Sequence, residues 1–311
     1  MIVLSTKEEI AHFASQAEYM ALNYAIGNFD GFHPGHLALI EAAHALGDFG
    51  IITLEPHPRQ FFKPDLPPFR LMRAADKQDM AQHLGAKVYV KLPFDQALAD
   101  MTPDEFHQQI LAPLAMKTLF FGPDFRYGKM RSGDENSLIA AGFSVRSIAP
   151  LLDETQRVYS SSRIRQAIND GDFIAANAML ARPWQVSGVV EEGDKLGRTI
   201  GFPTANLRLG GLLRPPIGIY ACWVRWTDET GQMHKMMGAA YYGNRPTIDG
   251  KDERFEVHLL DFDGNLYGQN LFVEIIARVR GDQNFASLKE MTAQIAIDCA
   301  AARLILENKP L

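Results

Sequence analysis

The spacing of apolar residues changes past the middle of this 311-residue chain, and this change limits the possible folds more than any other feature. Before Arg182-Pro183, short apolar runs alternate with segments of helical spacing, whereas after it short alternating runs follow one another. The first pattern is typical of parallel β-α-β units, and the second of an antiparallel barrel or sandwich. The length also favours about two domains. We therefore predict an α/β domain over residues 1–182 and a β domain over residues 183–311.

In the first half, four short apolar runs predict strands at 24–27, 50–54, 87–92 and 118–121, and 37–46 has helical spacing. Thr102, Pro103 and Glu105 have the pattern of a capping box that opens another helix. Ligands of such folds bind in the loops that follow the carboxyl ends of the strands. The loops after these runs are therefore the candidate sites.

In the second half, alternating runs predict strands at 219–226, 235–241, 254–260 and 271–279, and the segments 243–247 and 263–268 have turn-like composition. A helix is predicted over 288–307. Ser287 would cap it, Glu290 would complete a capping box, and Leu288, Met291 and Ile295 would form its apolar stripe.

The segment 27–36, Gly-Asn-Phe-Asp-Gly-Phe-His-Pro-Gly-His, joins a predicted strand to a predicted helix. Glycines allow a phosphate to approach the backbone, and the start of a helix offers unpaired N–H groups. His33 and His36 bracket a Pro-Gly turn, so both imidazoles can face an anion as pyrophosphate leaves. We predict them as catalytic, within a phosphate site formed by Gly27, Phe29, Asp30, Gly31 and Gly35. The alternative is a glycine-rich turn with two surface histidines.

Two further segments carry groups suited to phosphate. The loop 122–129 places Arg126 and Lys129 after a predicted strand. A predicted helix starts with three hydroxyls and a nearby guanidinium, from Ser160, Ser161, Ser162 and Arg165. An ordinary serine cap with solvated arginines is the alternative. If the group that attacks the nucleotide is itself a phosphate, it is already an anion. Nucleotidyl transfer to such a group needs no general base.

A second candidate site lies in the β half. Gly193, Gly197 and Gly201 could wrap phosphates, and the alternating Thr204 and Asn206 offer hard oxygen ligands for Mg²⁺. In the run 254–260, Glu256 lies on the face opposite Phe255, Val257 and Leu259. Glu256 is our candidate for the base that a kinase acting on an alcohol requires. A solvent-facing glutamate is the alternative.

The bulk properties exclude several classes of protein. A net charge of −6 and a pI of about 5.9 argue against a nucleic-acid partner. Cys222 and Cys299 lack metal-ligand spacing, which favours free thiols in a reducing compartment. The chain shows no signal peptide and no apolar run of membrane-spanning length. We therefore expect a soluble cytoplasmic protein without a membrane partner, as a monomer or weak homo-oligomer.

Taken in order, seven segments resemble the bacterial bifunctional riboflavin kinase/FAD synthetase family: 27–36, 53–59, 122–128, 160–165, 193–206, 243–247 and 255–268. The resemblance implies a nucleotidyltransferase-type Rossmann-like domain followed by a riboflavin-kinase β-barrel with a C-terminal helix. It further implies that riboflavin is phosphorylated to FMN with ATP and Mg²⁺, and that FMN is then adenylylated to FAD with release of pyrophosphate.

The resemblance also implies roles for single residues. His33, His36, Ser161, Ser162 and Arg165 would hold the ATP phosphates. Flavin would lie near Asp124, Phe125, Arg126 and Arg245, and in the kinase Thr204 and Asn206 would hold Mg²⁺ while Glu256 acts as the base.

The chain departs from the family pattern at Leu54, Ser162, Asp282 and the segment Ala240-Tyr241-Tyr242-Gly243. The last departure concerns the kinase pocket. It keeps open a narrower interpretation in which only one of the two activities is retained. A flavin- or nucleotide-binding regulator without turnover is the interpretation from another class, and the set Thr204, Asn206 and Glu256 argues against it because binding needs no base.

Overall fold

The structure is a computed structural model that describes residues 1–13, 21–193, 196–247 and 250–308, with side chains except at 196, 244–247 and 250–252. Its internal contacts divide the chain into two units. The first unit comprises Met1–Pro67 and Ala74–Ser160, and the second comprises Pro68–Arg73 and Ser161–Leu311.

The first unit is built on a six-stranded parallel sheet. Its strands are β1 (Ile2–Leu4), β2 (Asn23–Ile26), β3 (Phe49–Glu55), β4 (Val88–Pro93), β5 (Thr118–Phe121) and β6 (Val145–Ser147). The strand order is β1-β4-β3-β2-β5-β6, so the chain adds β3 and β4 on one side of β2 and then returns to add β5 on the other. The strand order thus reverses beside β2, and ligands of open α/β sheets bind at the carboxyl ends of strands at such a point.

Helices connect these strands: α1 (Lys7–Phe13), α2 (Pro34–His44), α3 (Pro58–Phe62), α4 (Ala74–His83), α5 (Gln96–Ala99), α6 (Pro103–Phe106) and α7 (Glu135–Ala140). A π-helix at His107–Leu111 and short 3₁₀ segments at Ala112–Leu114 and Lys129–Arg131 complete the unit. The predicted capping box is confirmed, since Thr102 and Glu105 each accept from the other's backbone N–H. Strands β2 and β5 are buried at every position, as in a sheet covered on both faces.

The second unit begins with two helices, α8 (Ser161–Asn169) and α9 (Phe173–Leu180). Six strands follow: β7 (Trp184–Val189), β8 (Ala205–Leu207), β9 (Gly218–Thr227), β10 (Met233–Thr247), β11 (Gly250–Leu259) and β12 (Asn270–Gly281). They form a curled antiparallel sheet, a half-barrel, in the order β7-β12-β9-β10-β11-β8. Helix α10 (Leu196–Thr199) precedes β8, and α11 (Leu288–Glu307) closes the fold.

The two faces of this sheet have different roles. Phe255 and Val257 point into the main core of the second unit, where they join residues of α8 and α9 such as Phe173. On the other face, α11 packs its Ala302 against Ala221 and Ala239 of the sheet. Small side chains at all three positions allow α11 to approach the strands closely. Because side chains alternate along a strand, β11 presents one face to the core and the other to the side covered by α11.

Three expectations for the second unit were wrong in detail. The segment 243–247 is not a turn but the last part of β10, which pairs with β11. The helix 288–307 and its Ser287 cap are confirmed, but Glu290 accepts from the backbone of Ala286 rather than completing a box with Ser287. Leu288 does not belong to a buried stripe either, because it is 56% exposed.

Among the helices that the structure describes, none combines the length and apolar character needed to cross a membrane.

Candidate functional sites

The loop between β2 and α2 lies at the reversal point of the first sheet. Phe29, Gly31 and Phe32 have φ values of 48°, 99° and 42°, so the chain turns sharply within four residues. Non-glycine residues adopt such angles only when their surroundings hold them there. Both phenylalanines are buried, and their rings stack at 5.5 Å. The two buried rings therefore anchor the loop to the interior of the first unit. Asp30 of the same loop is buried as well.

The structure brings the two predicted histidines together. The rings of His33 and His36 stack with their centroids 3.7 Å apart, and the edge of Phe29 contacts His36 at 5.4 Å. His33 occupies the N-cap of α2, and Pro34 provides the first helical position. A Cβ at position 35 would lie 3.2 Å from the ring of His33, a close contact that would require the ring to shift. An anion at the start of α2 would thus meet two imidazoles and the positive end of the helix.

A buried lysine below this loop was missed by sequence reasoning. Lys77 of α4 is fully buried, and its Nζ donates to the backbone oxygen of Asn28 at 3.1 Å and to Thr53 Oγ1 at 3.3 Å. It also forms an ion pair with the Glu55 carboxylate. No sequence signal distinguishes it, because α4 is rich in polar residues and a lysine there has the pattern of a solvated one.

The loop after β5 carries Asp124, Phe125 and Arg126. The ring of Phe125 stacks between Phe121 and Tyr127, at 4.9 and 5.4 Å, whereas Asp124 and Arg126 are exposed. Tyr127 is held in turn by His107, whose Nε2 is 2.5 Å from the phenol oxygen. Burial lowers the pKa of His107 and raises that of Tyr127, which favours their neutral forms. The loop is therefore fixed from within while its two charged side chains face solvent.

Three aromatic rings at the same edge of the sheet were also missed. Phe61 and Phe62 of α3 and Phe94, which follows β4, contact one another edge to face at 5.2 to 5.6 Å. Phe62 is 63% exposed. Phe61 and Phe94 are partly buried beside it, and contiguous exposed apolar surface can mark a ligand-binding site. We call these three rings the aromatic trio. The only sequence signal for it was the adjacent pair Phe61-Phe62, which follows the segment 55–59.

The predicted phosphate-binding helix start is divided between the two units. Ser160 is the last residue of the first unit, and Ser161 and Ser162 begin α8 in the second. Arg165 donates through Nε to the backbone oxygen of Phe69 at 2.8 Å, and its guanidinium lies over the Phe69 ring. Part of this side chain therefore packs within the second unit.

The second unit contains a cavity of about 520 Å³ between the outer face of its sheet and α11. A row of neighbouring positions on five strands lines it: Asn206, Glu256, Tyr241, Ile219 and Arg280. Cross-strand pairing sets this row, since Glu256 pairs with both Asn206 and Tyr241, and Ile219 pairs with both Tyr241 and Arg280. This wall of the cavity thus passes from the polar oxygens of Asn206 and Glu256, across Tyr241 and Ile219, to the guanidinium of Arg280.

Glu256 lies at the polar end of this cavity. Its Oε2 accepts from Thr204 Oγ1 at 3.5 Å, and its Oε1 is 3.3 Å from Arg254 Nη1. Its side chain is 24% exposed, so a substrate can still reach the carboxylate. The hydroxyl, the amide and the carboxylate predicted from the sequence therefore line the wall of one cavity.

The three predicted phosphate glycines each have a local reason to be glycine. A Cβ at Gly193 would collide with the Asn206 amide, one at Gly197 would lie 2.3 Å from the Phe202 backbone oxygen, and Gly201 has a φ of 87°. Only Gly197 lines the cavity itself. Asp194 and Lys195 of the same segment lie outside the described residues, as does the side chain of Arg245.

We expect Gly197→Ala to disturb the polar end of the cavity, because its Cβ meets backbone rather than a movable side chain. Overpacking of this kind costs about 1–3 kcal/mol. The midpoint of thermal unfolding should fall, and activity at this cavity with it. Gly211→Ala is the matched control, since its Cβ would meet only Arg70 Cγ at 3.8 Å. Equal behaviour of the two variants would show that the close approach at Gly197 is unimportant.

Helix α11 forms the opposite wall with Met291, Ile295 and Cys299. Its position is fixed by Asp298, whose two carboxylate oxygens accept from Arg280 at 2.8 and 2.7 Å. Burial raises the pKa of Cys299 to about 11 and that of Cys222 further still, so both are protonated free thiols at neutral pH.

A metal at this site would meet the neutral oxygens of Thr204 and Asn206 beside the Glu256 carboxylate. No group of three or more His, Cys, Asp or Glu side chains suited to a metal occurs in the part of the chain that the structure describes. The oxygens of Thr204 and Asn206 are hard ligands, and Mg²⁺ characteristically completes such a set with phosphate oxygens and water. The donors present therefore fit a magnesium–nucleotide complex.

Comparison with known proteins assigns a family to each half. The model described as FAD synthetase matches residues 15–163, and the model described as riboflavin kinase matches residues 180–306. A solved structure described as a macrolide-efflux protein from Streptococcus pneumoniae is 28% identical, with a TM-score of 0.83 over 97% of this chain and 99% of that one. That likeness shows a shared fold along nearly the whole length, and the efflux description belongs to that protein.

Curated relatives match over both units together. The bifunctional riboflavin kinase/FMN adenylyltransferase of Escherichia coli K12 is 37% identical over 302 residues, which cover 94% of this chain and 95% of the relative. The proteins of the same description from Haemophilus influenzae and Bacillus subtilis are 37% and 33% identical, over 91% and 88% of this chain and 94% and 89% of their own. The chain therefore belongs to the bifunctional riboflavin kinase/FMN adenylyltransferase family.

Proposed function

We propose that this chain phosphorylates riboflavin to FMN in residues 183–311 and adenylylates FMN to FAD in residues 1–182, each step with ATP. One observation carries the proposal: each of the two units matches one activity, and each holds polar groups suited to that activity. The kinase cavity supplies a carboxylate beside a hydroxyl and an amide, and the first unit supplies a histidine pair at a helix start.

In the kinase step, Glu256 accepts the proton of the terminal ribityl hydroxyl. The resulting oxygen attacks the γ-phosphorus of ATP, forming FMN while the bond to ADP breaks. Mg²⁺ held by Thr204 and Asn206 would neutralise charge on the ATP phosphates. Arg254 and Thr204 orient the Glu256 carboxylate through its two oxygens, so it needs little rearrangement to accept the proton.

Cavity geometry also suggests where the flavin ring lies. Ile219 on the sheet wall and Met291 and Ile295 on the facing wall of α11 suit an apolar ring system between them, with the ribityl chain directed to Glu256. Tyr241, within the segment 240–243 where the sequence departs from the family pattern, lies between Glu256 and Ile219 in the row, whereas Tyr242 is buried on the other face. We propose that Tyr241 contacts the flavin, and the flavin-binding role of Arg245 stays a prediction from the sequence.

In the adenylyl step, a phosphate oxygen of FMN attacks the α-phosphorus of ATP, and pyrophosphate leaves. The attacking phosphate is already an anion, so no general base is required. His33 and His36, with the backbone of 27–35, stabilise the charge that develops on the phosphate oxygens.

Flavin in the first unit has two candidate surfaces at the carboxyl edge of the sheet, namely the loop of Asp124, Phe125 and Arg126 and the aromatic trio. Exposed rings can stack on a flat substrate. The roles of Ser160, Ser161, Ser162 and Arg165 in holding phosphate, and of Gly193 and Gly201 in wrapping it, stay predictions from the sequence. Three other expectations also stay predictions: the closed form of the barrel, the cytoplasmic location and an oligomeric state no larger than a weak homo-oligomer.

The test is an end-point conversion. Protein is mixed with riboflavin, ATP and Mg²⁺, and the flavins are separated by chromatography. We expect FAD as the final product with FMN passing through, and no conversion when Mg²⁺ is chelated. FMN alone would contradict the adenylyl step, and FAD from added FMN without conversion of riboflavin would contradict the kinase step. No product from either flavin would favour a binding protein.

A further inference from the structure

The ammonium of Lys77 is the most deeply buried charge next to the candidate adenylyl site. It lies on α4, outside every segment that sequence reasoning singled out, and its side chain has no solvent exposure. A buried charge is costly unless its partners satisfy it. Here the Glu55 carboxylate, the Thr53 hydroxyl and the Asn28 backbone oxygen surround it.

The contact with Asn28 connects this cluster to the loop that carries the histidines. Lys77 Nζ and Thr53 Oγ1 both donate to the Asn28 oxygen, at 3.1 and 3.2 Å. The next residue, Phe29, begins the run of positive φ angles that leads to His33. Two hydrogen-bond donors therefore hold the carbonyl group of Asn28, the last residue before the turn.

Stability alone does not account for a lysine at this position. Replacing a buried ion pair by apolar side chains of similar volume is often neutral or stabilising, so a core of this kind could have been apolar. What an apolar side chain could not do is hold a backbone oxygen at a defined point. A displacement of about 1 Å at a reacting centre can cost about 10²-fold in rate.

We infer that Lys77 is a positioning residue for adenylyl transfer, acting through the Asn28 carbonyl to hold His33 and His36 where the phosphates bind. The inference rests on the proposed adenylyl activity of the first unit. Lys77 itself touches no substrate in this account, so its effect appears in the rate of the chemical step more than in substrate binding.

The test compares Lys77→Met with Lys87→Met, whose exposed lysine is 3.9 Å from Asp48 in the same unit. With FMN and ATP as substrates, Lys77→Met should lower kcat for FAD formation by about 10- to 100-fold. The KM for ATP should change less than about threefold, because Lys77 positions the histidines that stabilise the transition state and does not itself bind ATP. FMN formation from riboflavin should be unchanged in both variants, and Lys87→Met should resemble the wild type throughout.

A second variant guards against loss of folding. Thr53→Val removes one donor to Asn28 and one acceptor of Lys77 but keeps the Lys77–Glu55 ion pair, so we expect a smaller decrease in kcat, about 2- to 10-fold. Circular dichroism establishes that each variant is folded. If Lys77→Met does not fold, an unchanged kcat in Thr53→Val overturns the inference.

A double-mutant cycle separates positioning from general weakening of the fold. If Lys77 acts through the loop, Lys77→Met should cost less than about threefold once His36 is alanine, because groups that act as a unit are not additive. The full loss in both backgrounds overturns the inference. A wild-type protein that forms no FAD from FMN refutes the proposed adenylyl activity instead, and so the two failures are distinguishable.

Discussion

Glu256→Gln is expected to lower FMN formation from riboflavin by about 10²-fold or more, the usual contribution of a general base. Glutamine has nearly the same shape and can still accept from Thr204, but it cannot take a proton from the ribityl hydroxyl. The loss should therefore lie in kcat, with little change in the KM for ATP. FAD formation from added FMN should survive, because the first unit does not use this residue. Steady-state rates with each flavin measure both effects.

The matched control for this variant is Glu253→Gln on the same strand. Glu253 pairs with Arg214 and does not line the cavity. Its substitution removes the same charge three residues away, and FMN formation should stay close to that of the wild type. Unchanged FMN formation in Glu256→Gln would show that Glu256 is not the base. A similar decrease in both variants would indicate an effect of net charge or stability.

The parts of this fold that the sequence predicts are those governed by local patterns. The four longer strands of the first sheet follow apolar runs, and α11 follows a cap at Ser287 with helical spacing beyond it. The alternation around Glu256 separates a core face from a cavity face because side chains of a strand point alternately to its two sides. Three-residue strands such as β1 and β6 are too short to show any period.

Features that depend on distant contacts were not predictable in the same way. The turn-like composition of 243–247 is overridden by pairing of β10 with β11, and propensity in strands depends strongly on such context. Pro68–Arg73 belongs to the second unit, where the Leu71 backbone oxygen accepts from Trp184 Nε1 113 positions away. Lys77 is buried only because the sheet brings Asn28, Thr53 and Glu55 around it.

In the candidate adenylyl site, too, local patterns predict some features and distant contacts determine the others. Spacing alone predicted that His33 and His36 lie close together, because they bracket a Pro-Gly turn at a helix start, and their role toward an anion stays a prediction. Stacking of the two rings at 3.7 Å and the hold of Phe29 on His36 come from buried aromatic packing, which spacing does not specify. Substitution at His36 therefore tests chemistry and packing together, and the variants must separate them.

His36→Ala is expected to lower FAD formation from FMN by about 10²- to 10³-fold, the cost of removing one donor to a developing oxyanion. FMN formation from riboflavin should be spared, which is the reverse of the result with Glu256→Gln. His44→Ala is the matched control, because His44 is an exposed histidine at the other end of α2. It should leave both reactions unchanged.

His36→Asn distinguishes the donor from the packing. Asparagine keeps an N–H group near this position but loses the aromatic contact with Phe29, so it should recover part of the activity if hydrogen bonding to the phosphates matters. If alanine and asparagine are equally inactive while the thermal unfolding midpoint is unchanged, an imidazole is specifically required. If both lower FAD and FMN formation equally, the substitution has damaged the fold, and the assignment of His36 to phosphate chemistry would fail.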